Sequence, residues 1–189
     1  MNRVKLLISD FDGTLVDTFE PNYLGYRDAF EAMGMSIDRD TYRSCFGLRF
    51  DRFMERRGIN DDAVRRQIRD LKTEFYPRYF DRFRVNRVLL NLLDAHHRGG
   101  GLTAIASTAR VENLMNALDH IGARSTFDII IAGEQVKDGK PSPEIYLTVL
   151  EQAGVTAAEA LIFEDSPVGI QAAEAAGIAH IVVTPSYFE

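Results

Sequence analysis

Five short apolar segments, Val4–Ser9, Leu102–Ser107, Asp128–Ala132, Ala160–Glu164 and His180–Thr184, constrain this chain more than any other feature. They are rich in Ile, Val and Leu, too short for typical helices, and helical periodicity separates the last four. Val111–Ile121 sets Leu114, Leu118 and Ile121 on one stripe, and Pro143–Ala153 does the same with Ile145, Val149 and Leu150. Ile170–Ala176 reads as an Ala-rich helix stopped by Gly177. A strand that is apolar at successive positions must be covered on both faces, and strands alternating with helices run in parallel. The expected fold is therefore α/β, a Rossmann-like parallel sheet core with helices on both faces.

Between the first segment and the second this rhythm breaks. From Val16 to Asn86 the chain offers helical patterns and no convincing strand. Tyr23–Met33 stops at Gly34, Phe50–Arg57 at Gly58, and Asp61–Tyr76 before Pro77. Glycine accepts the left-handed cap, and proline cannot continue a helix. Val85–His97 then leads through three glycines, 99–101, into the second strand. The expected organisation is a core of residues 1–15 and 86–189 interrupted by an all-helical insertion, residues 16–85.

With 22 Lys and Arg against 28 Asp and Glu, the formal charge is −6. That balance opposes a general affinity for nucleic acid or anionic membranes. An anionic substrate would have to be held by local positive groups or by a metal. The apolar run Leu6 to Ser9 is too short for a secretory signal, and no apolar stretch approaches the ~20 residues of a membrane-spanning helix. The single cysteine, Cys45, has no partner for an intramolecular disulfide. The expectation is a cytoplasmic protein, monomer or homodimer, that binds neither nucleic acid nor membrane.

Open parallel sheets bind ligands at the carboxyl ends of their strands. There the first strand supplies Asp10-Phe11-Asp12-Gly13-Thr14, the second Ser107-Thr108, and the fourth Glu164-Asp165-Ser166, while Lys140 lies in the loop after the third. Singly, each has an ordinary use: Asp and Gly make turns, Ser and Thr cap helices, and a loop lysine is solvated. Together they fit that explanation poorly, because carboxylates at neighbouring strand ends repel unless a cation lies between them. With no His or Cys nearby in sequence, a hard, oxygen-seeking ion such as Mg2+ suits them better than zinc.

These residues resemble the haloacid dehalogenase superfamily, in its phosphatase branch with a helical cap after the first motif. The resemblance extends to beta-phosphoglucomutase and phosphoglycolate phosphatase-like proteins. It rests on Asp10-Phe11-Asp12-Gly13-Thr14-Leu15-Val16-Asp17-Thr18, Ser107, Lys140-Pro141-Ser142-Pro143, and the run from Phe163 to Ala173, in order over nearly the whole chain. It implies a Mg2+-dependent phosphatase acting on a small soluble phosphate ester, with residues 16–85 as the cap. Asp10 would be the nucleophile that forms an aspartyl-phosphate, and Asp12 the general acid and base. Ser107 and Lys140 would bind the phosphoryl group, and Asp10, the Asp12 carbonyl and Asp165 would hold Mg2+, with Glu164 beside the metal rather than on it. Backbone amides opening the helix after Ser107 would assist it.

The acid at Asp12 separates phosphatases from the superfamily's dehalogenases, whose halide leaves without a proton. Thr108-Ala109-Arg110 departs from the family's frequent Asn after the second-motif Ser or Thr, which leaves Thr108 without an assigned role; Arg110 reads first as a solvated first-turn residue and second as an extra phosphate contact. In the cap, Asn22, Tyr23, Arg49 and Arg52 are candidate leaving-group contacts. The family's sugar-phosphate mutases place His where this chain has Asn22, so water rather than a sugar hydroxyl is the expected acceptor. Lys72, the one lysine of the insertion, lies in a charged helix and is a poor Schiff-base candidate. A phosphosugar mutase of the beta-phosphoglucomutase type, and a non-catalytic phosphate-binding protein that had kept the fold, are the alternatives.

Overall fold

The structure, a computed structural model, describes residues 4–188. Along the chain the elements are β1 (Leu6–Ser9), β2 (Val16–Asp17), α1 (Phe19–Ala32), α2 (Arg39–Arg43), α3 (Phe50–Arg56), α4 (Asp62–Phe75), β3 (Arg84–Val85) and α5 (Arg87–Arg98). There follow β4 (Leu102–Ala106), α6 (Val111–His120), β5 (Ile129–Ile131), α7 (Glu144–Ala153), β6 (Ala160–Glu164), α8 (Pro167–Ala175) and β7 (Ala179–Val182). The described residues form two compact units, 4–17 with 84–188, and Thr18–Phe83.

In the first unit the sheet order is β5-β4-β1-β6-β7, and every pairing is parallel. The α/β expectation is borne out. β1 is the central strand, with all four residues buried, because it has partners on both sides and side chains packed on both faces. Leu6 and Ile8 share a cluster with Ala104, Ala106 and Ile162 of the sheet, Tyr146 and Val149 of α7, and Ala172 and Ala173 of α8. The alanines of α8 let that helix lie close to the strands. The alternate residues Leu7, Ile105 and Phe163 are buried as well, as are Leu89 and Leu93 of α5 and Leu114 and Leu118 of α6. The short edge strands β5 and β7 each pair on one side only.

The second unit is helical and has its own core: Ala29, Phe30, Ile37, Tyr42, Cys45, Phe53, Met54 and Ile68. Tyr42 and Phe53 meet edge to face, with ring centroids 5.8 Å apart. Lys72 of α4 is buried, not solvated as its charged sequence neighbours suggest, with Nζ 3.5 Å from the Tyr76 ring centroid. Helix α2 escaped the sequence reading because it is a single short turn and a half. It is capped by Asp38, whose carboxylate accepts from the Thr41 amide at 2.8 Å.

One expectation fails at the junction. No strand was expected between Val16 and Asn86, yet β2 and β3 pair antiparallel, Val16 with Val85 and Asp17 with Arg84. Two residues per strand are too few for alternation to register, so only the tertiary pairing reveals them. The Arg84 guanidinium donates through Nε to Asp17 at 3.1 Å. The unit boundaries accordingly fall two residues inside the expected insertion. Asn86 sits beside the ladder, almost fully buried. Its amide nitrogen donates to the Leu15 carbonyl at 2.9 Å, its Nδ2 to the Thr14 carbonyl at 3.3 Å, and its Oδ1 accepts from Leu89 at the start of α5. The Asn86→Ala variant is therefore expected to lose about 2 kcal/mol in urea denaturation, and Asn86→Asp, which keeps the helix-capping oxygen, to lose less.

Candidate active site

Asp10 follows β1 directly, its amide donating to the Phe163 carbonyl at 3.0 Å as if the β1–β6 ladder continued. The next residues then turn away. Gly13 donates to the Val16 carbonyl at 2.8 Å, while the amides of Leu15 and Val16 both donate to the Phe11 carbonyl. Gly13 has φ of 90°, a conformation open to glycine, and a Cβ there would overlap the Asp165 carboxylate. The glycine thus allows the loop after β1 to lie against the loop after β6. Thr14 Oγ1 closes that contact, donating to Asp165 Oδ1 at 2.8 Å.

Lys140 reaches the same point from the loop before α7. Its Nζ donates to Asp10 Oδ1 at 2.7 Å, to Glu164 Oε1 at 2.6 Å and to the Ala106 carbonyl at 3.0 Å, and its side chain is only 2% exposed. Three N–H donors meet three oxygens, so the ammonium is fully satisfied. The loop that carries it is tied down by Glu144, whose two carboxylate oxygens accept from the amides of Lys137 and Asp138 at 2.8 and 2.7 Å. Glu164 is wholly buried. Besides Lys140, it accepts from the Ser166 amide at 2.7 Å, the Ser166 hydroxyl at 3.0 Å and the Tyr146 hydroxyl at 3.3 Å. Ser166 Oγ in turn accepts from Gly169 and caps α8. A Cβ on Gly169 would fall on the Glu164 carboxylate.

Ser107, at the end of β4, donates through Oγ to Asp12 Oδ2 at 3.4 Å and accepts from the Ala109 amide at 3.1 Å. Asp10, Asp12, Ser107, Lys140, Glu164 and Asp165 are thus joined by direct contacts or by the close approach of their loops. The start of α6 has protein partners of its own. Arg110 pairs with Glu134 at 3.1 Å, and the other Glu134 oxygen accepts from the Val111 amide at 3.0 Å. The first amide of α6, that of Val111, therefore donates to a protein carboxylate, and the Ala109 amide donates to Ser107. Tyr146 went unnoticed as a site residue because it lies on the apolar stripe of α7 and reads as core. Asn22, Tyr23, Arg49 and Arg52 belong to the helical unit. There Asn22 is buried and Arg52 pairs with Glu55 at 3.2 Å.

The charges do not balance. Burial pushes Asp10 well above the usual carboxylate range; Lys140 opposes this, and Glu164, Asp165 and Asp12 add to it. Burial by itself would lower Lys140, but Asp10, Tyr146 and Glu164 hold it well above the usual ammonium value. Lys140 therefore stays charged, and Asp10 remains short of positive charge. Asp165 is raised to about 6, by burial first and by Glu164 next, against the opposing Thr14 hydrogen bond. Carboxylate oxygens of Asp10, Glu164 and Asp165 all lie within 4.8 Å of one another. This is a hard-oxygen donor set with surplus negative charge, and it fits a divalent cation of the magnesium kind. Glu164, with both oxygens occupied by protein donors, fits a supporting place better than a ligand's place.

The chain is similar to known proteins over nearly its whole length. The family model described as haloacid dehalogenase-like hydrolase matches residues 7–183. The chain is 31% identical to the Phosphorylated carbohydrates phosphatase of Thermotoga maritima, over 94% of this chain and 84% of that protein. It is similar to the structure of CbbY from Rhodobacter sphaeroides in complex with phosphate, with TM-score 0.88, 28% identity, and 98% of this chain and 88% of that chain covered. A mutant of that CbbY in complex with Xylulose-(1,5)bisphosphate gives TM-score 0.88 at 27% identity, with 98% and 88% covered.

Asp165 holds its proton more tightly folded than unfolded, so its contribution favours the fold below about pH 4 and is lost as pH rises through about 6. Asp165→Asn keeps the oxygen that accepts from Thr14 and removes the charge. In urea unfolding with EDTA present, the variant should be more stable than the parent by about 1–2 kcal/mol at pH 7.5 and should match it near pH 4. A gap that is the same at both pH values would refute the origin given to it.

Proposed function

The chain belongs to the haloacid dehalogenase-like hydrolases and is an enzyme of their phosphatase kind, and from that premise we propose that it hydrolyses a small phosphorylated sugar through a phosphoryl group carried on Asp10. The observation that supports this most directly is the fixed nucleophile. One oxygen of Asp10 is held by Lys140 at 2.7 Å, at the end of the central strand and beside Asp12 and Asp165. Lys140 favours the anionic form of this carboxylate against its burial, a divalent cation would favour it further, and the acyl phosphate it gives is one that water cleaves readily.

In the first step an Asp10 oxygen attacks phosphorus, the bond from phosphorus to the sugar oxygen breaks, and Asp12 gives its proton to that oxygen. In the second, Asp12 takes a proton from water as the water oxygen attacks phosphorus, and Asp10 leaves as a carboxylate. Lys140 offsets charge along the path, and Ser107, already within 3.4 Å of Asp12, donates to a phosphoryl oxygen. The group that Asp10, the Asp12 carbonyl and Asp165 would hold is Mg2+, which supplies positive charge between the anionic nucleophile and the anionic phosphate. The helical insertion, residues 18–83, would supply the selectivity for the leaving group. Asn22, where related mutases carry His, supports water as the acceptor. The sugar phosphate class is supported by the names of the similar proteins, one a phosphatase of phosphorylated carbohydrates and another crystallised with a sugar bisphosphate.

A panel of sugar phosphates, phosphoglycolate, glycerol phosphates and nucleotides, assayed with Mg2+, should give the highest kcat/KM on a sugar phosphate. Asp10→Asn should lower turnover at least ~10^3-fold with circular dichroism unchanged, and normal turnover by that variant would remove Asp10 from the mechanism. Asp12→Asn should also be severely impaired, less so for substrates whose leaving group needs no proton, such as a nitrophenyl ester. Excess EDTA should abolish activity and Mg2+ restore it.

A further inference from the structure

Tyr146 is the buried polar group next to the reacting residues that the mechanism above leaves without a task. It lies on α7 among Ile145, Val149 and Leu150, with no exposed surface. Packing alone would be served there by phenylalanine. Its hydroxyl, however, donates at 3.3 Å to Glu164 Oε1, the same oxygen that accepts from Lys140 at 2.6 Å. Its ring centroid lies 5.1 Å from Lys140 Nζ, within cation–π range. Tyr146 therefore touches both Lys140 and the carboxylate that competes with Asp10 for it.

That competition has a direction. Lys140 is shared between Asp10 at 2.7 Å and Glu164 at 2.6 Å. A hydrogen bond into Glu164 Oε1 reduces the negative charge that oxygen presents to Lys140. Without it, the buried carboxylate has Lys140 and the Ser166 donors to satisfy it, and the ammonium is drawn toward Glu164 and away from Asp10. We propose that Tyr146 is a positioning residue that, through its hydroxyl on Glu164 and its ring beside the ammonium, holds Lys140 in register with Asp10. The proposal rests on the role given to Lys140 above.

The test is Tyr146→Phe, which keeps the ring and removes the hydroxyl. With p-nitrophenyl phosphate and Mg2+, kcat should fall about tenfold while KM stays within about twofold. In the metal-free variant, proton-nitrogen spectra of the lysine ammonium groups should show faster proton exchange at Lys140 than in the parent. Val149→Ala, on the same stripe of α7, is the control for loss of packing: it should lower stability and leave kcat and the Lys140 signal unchanged. Unchanged Lys140 exchange in Tyr146→Phe, or an equal kcat loss in Val149→Ala, would overturn the proposal at Tyr146 itself. Faster exchange with unchanged kcat would overturn it through the role assigned to Lys140, so the two failures are told apart.

Discussion

The ammonium of Lys140, held between Asp10 and Glu164, is the interaction on which the site depends. Burying one cation against several carboxylates is costly, and the mutual attraction repays it only when every donor and acceptor is satisfied. Here each N–H of Lys140 has an oxygen within 3.0 Å. The attraction does not neutralise the cluster, since Asp10 and Asp165 both remain raised. A site with surplus negative charge is unstable when empty and well suited to a divalent cation. Bringing these carboxylates together costs stability, and a bound divalent cation would offset that cost.

The surrounding residues make that cluster geometrically possible. Gly13 and Gly169 both leave room for a carboxylate, Asp165 in one case and Glu164 in the other. Glu144 fixes the Lys140 loop, and Ser166 both caps α8 and binds Glu164. Each loop is thus held internally by contacts to its own backbone amides, and the loops meet through side chains, Lys140 with Asp10 and Glu164, and Thr14 with Asp165.

The sequence revealed the sheet because β1, β4 and β6 are buried on both faces and must be apolar throughout. It revealed Asp10, Asp12, Ser107, Lys140 and Asp165 as candidates because polar residues clustered at the carboxyl ends of such strands need a reason to be there. It could not reveal Tyr146, whose hydroxyl is chemically informative only once Glu164 is known to lie 3.3 Å away. Nor could it show that Glu134, rather than a ligand, caps the first amide of α6, because that pairing crosses the gap between two loops. Lys72 misled for a related reason: its neighbours in sequence are charged, but its neighbours in space are the Tyr26 and Tyr76 rings. Periodicity reports which face is buried, and it is silent on which polar atom meets which.

The β2–β3 ladder explains how the core accommodates a long insertion so near Asp10. Asp17 and Arg84 are paired residues, so the chain leaves and re-enters the first unit at adjacent points. The entropy of closing a loop grows only slowly with its length, so the core pays nearly the same cost for a short insertion as for a long one. What matters is that the junction is closed, and Asn86 closes it by bonding Leu15 and Thr14 on one side and α5 on the other. Thr14 is also the residue that donates to Asp165. The closure of the insertion and the placement of an acidic site residue therefore share one short stretch of backbone, and the helical unit can vary in sequence while the turn after Asp10 keeps its shape.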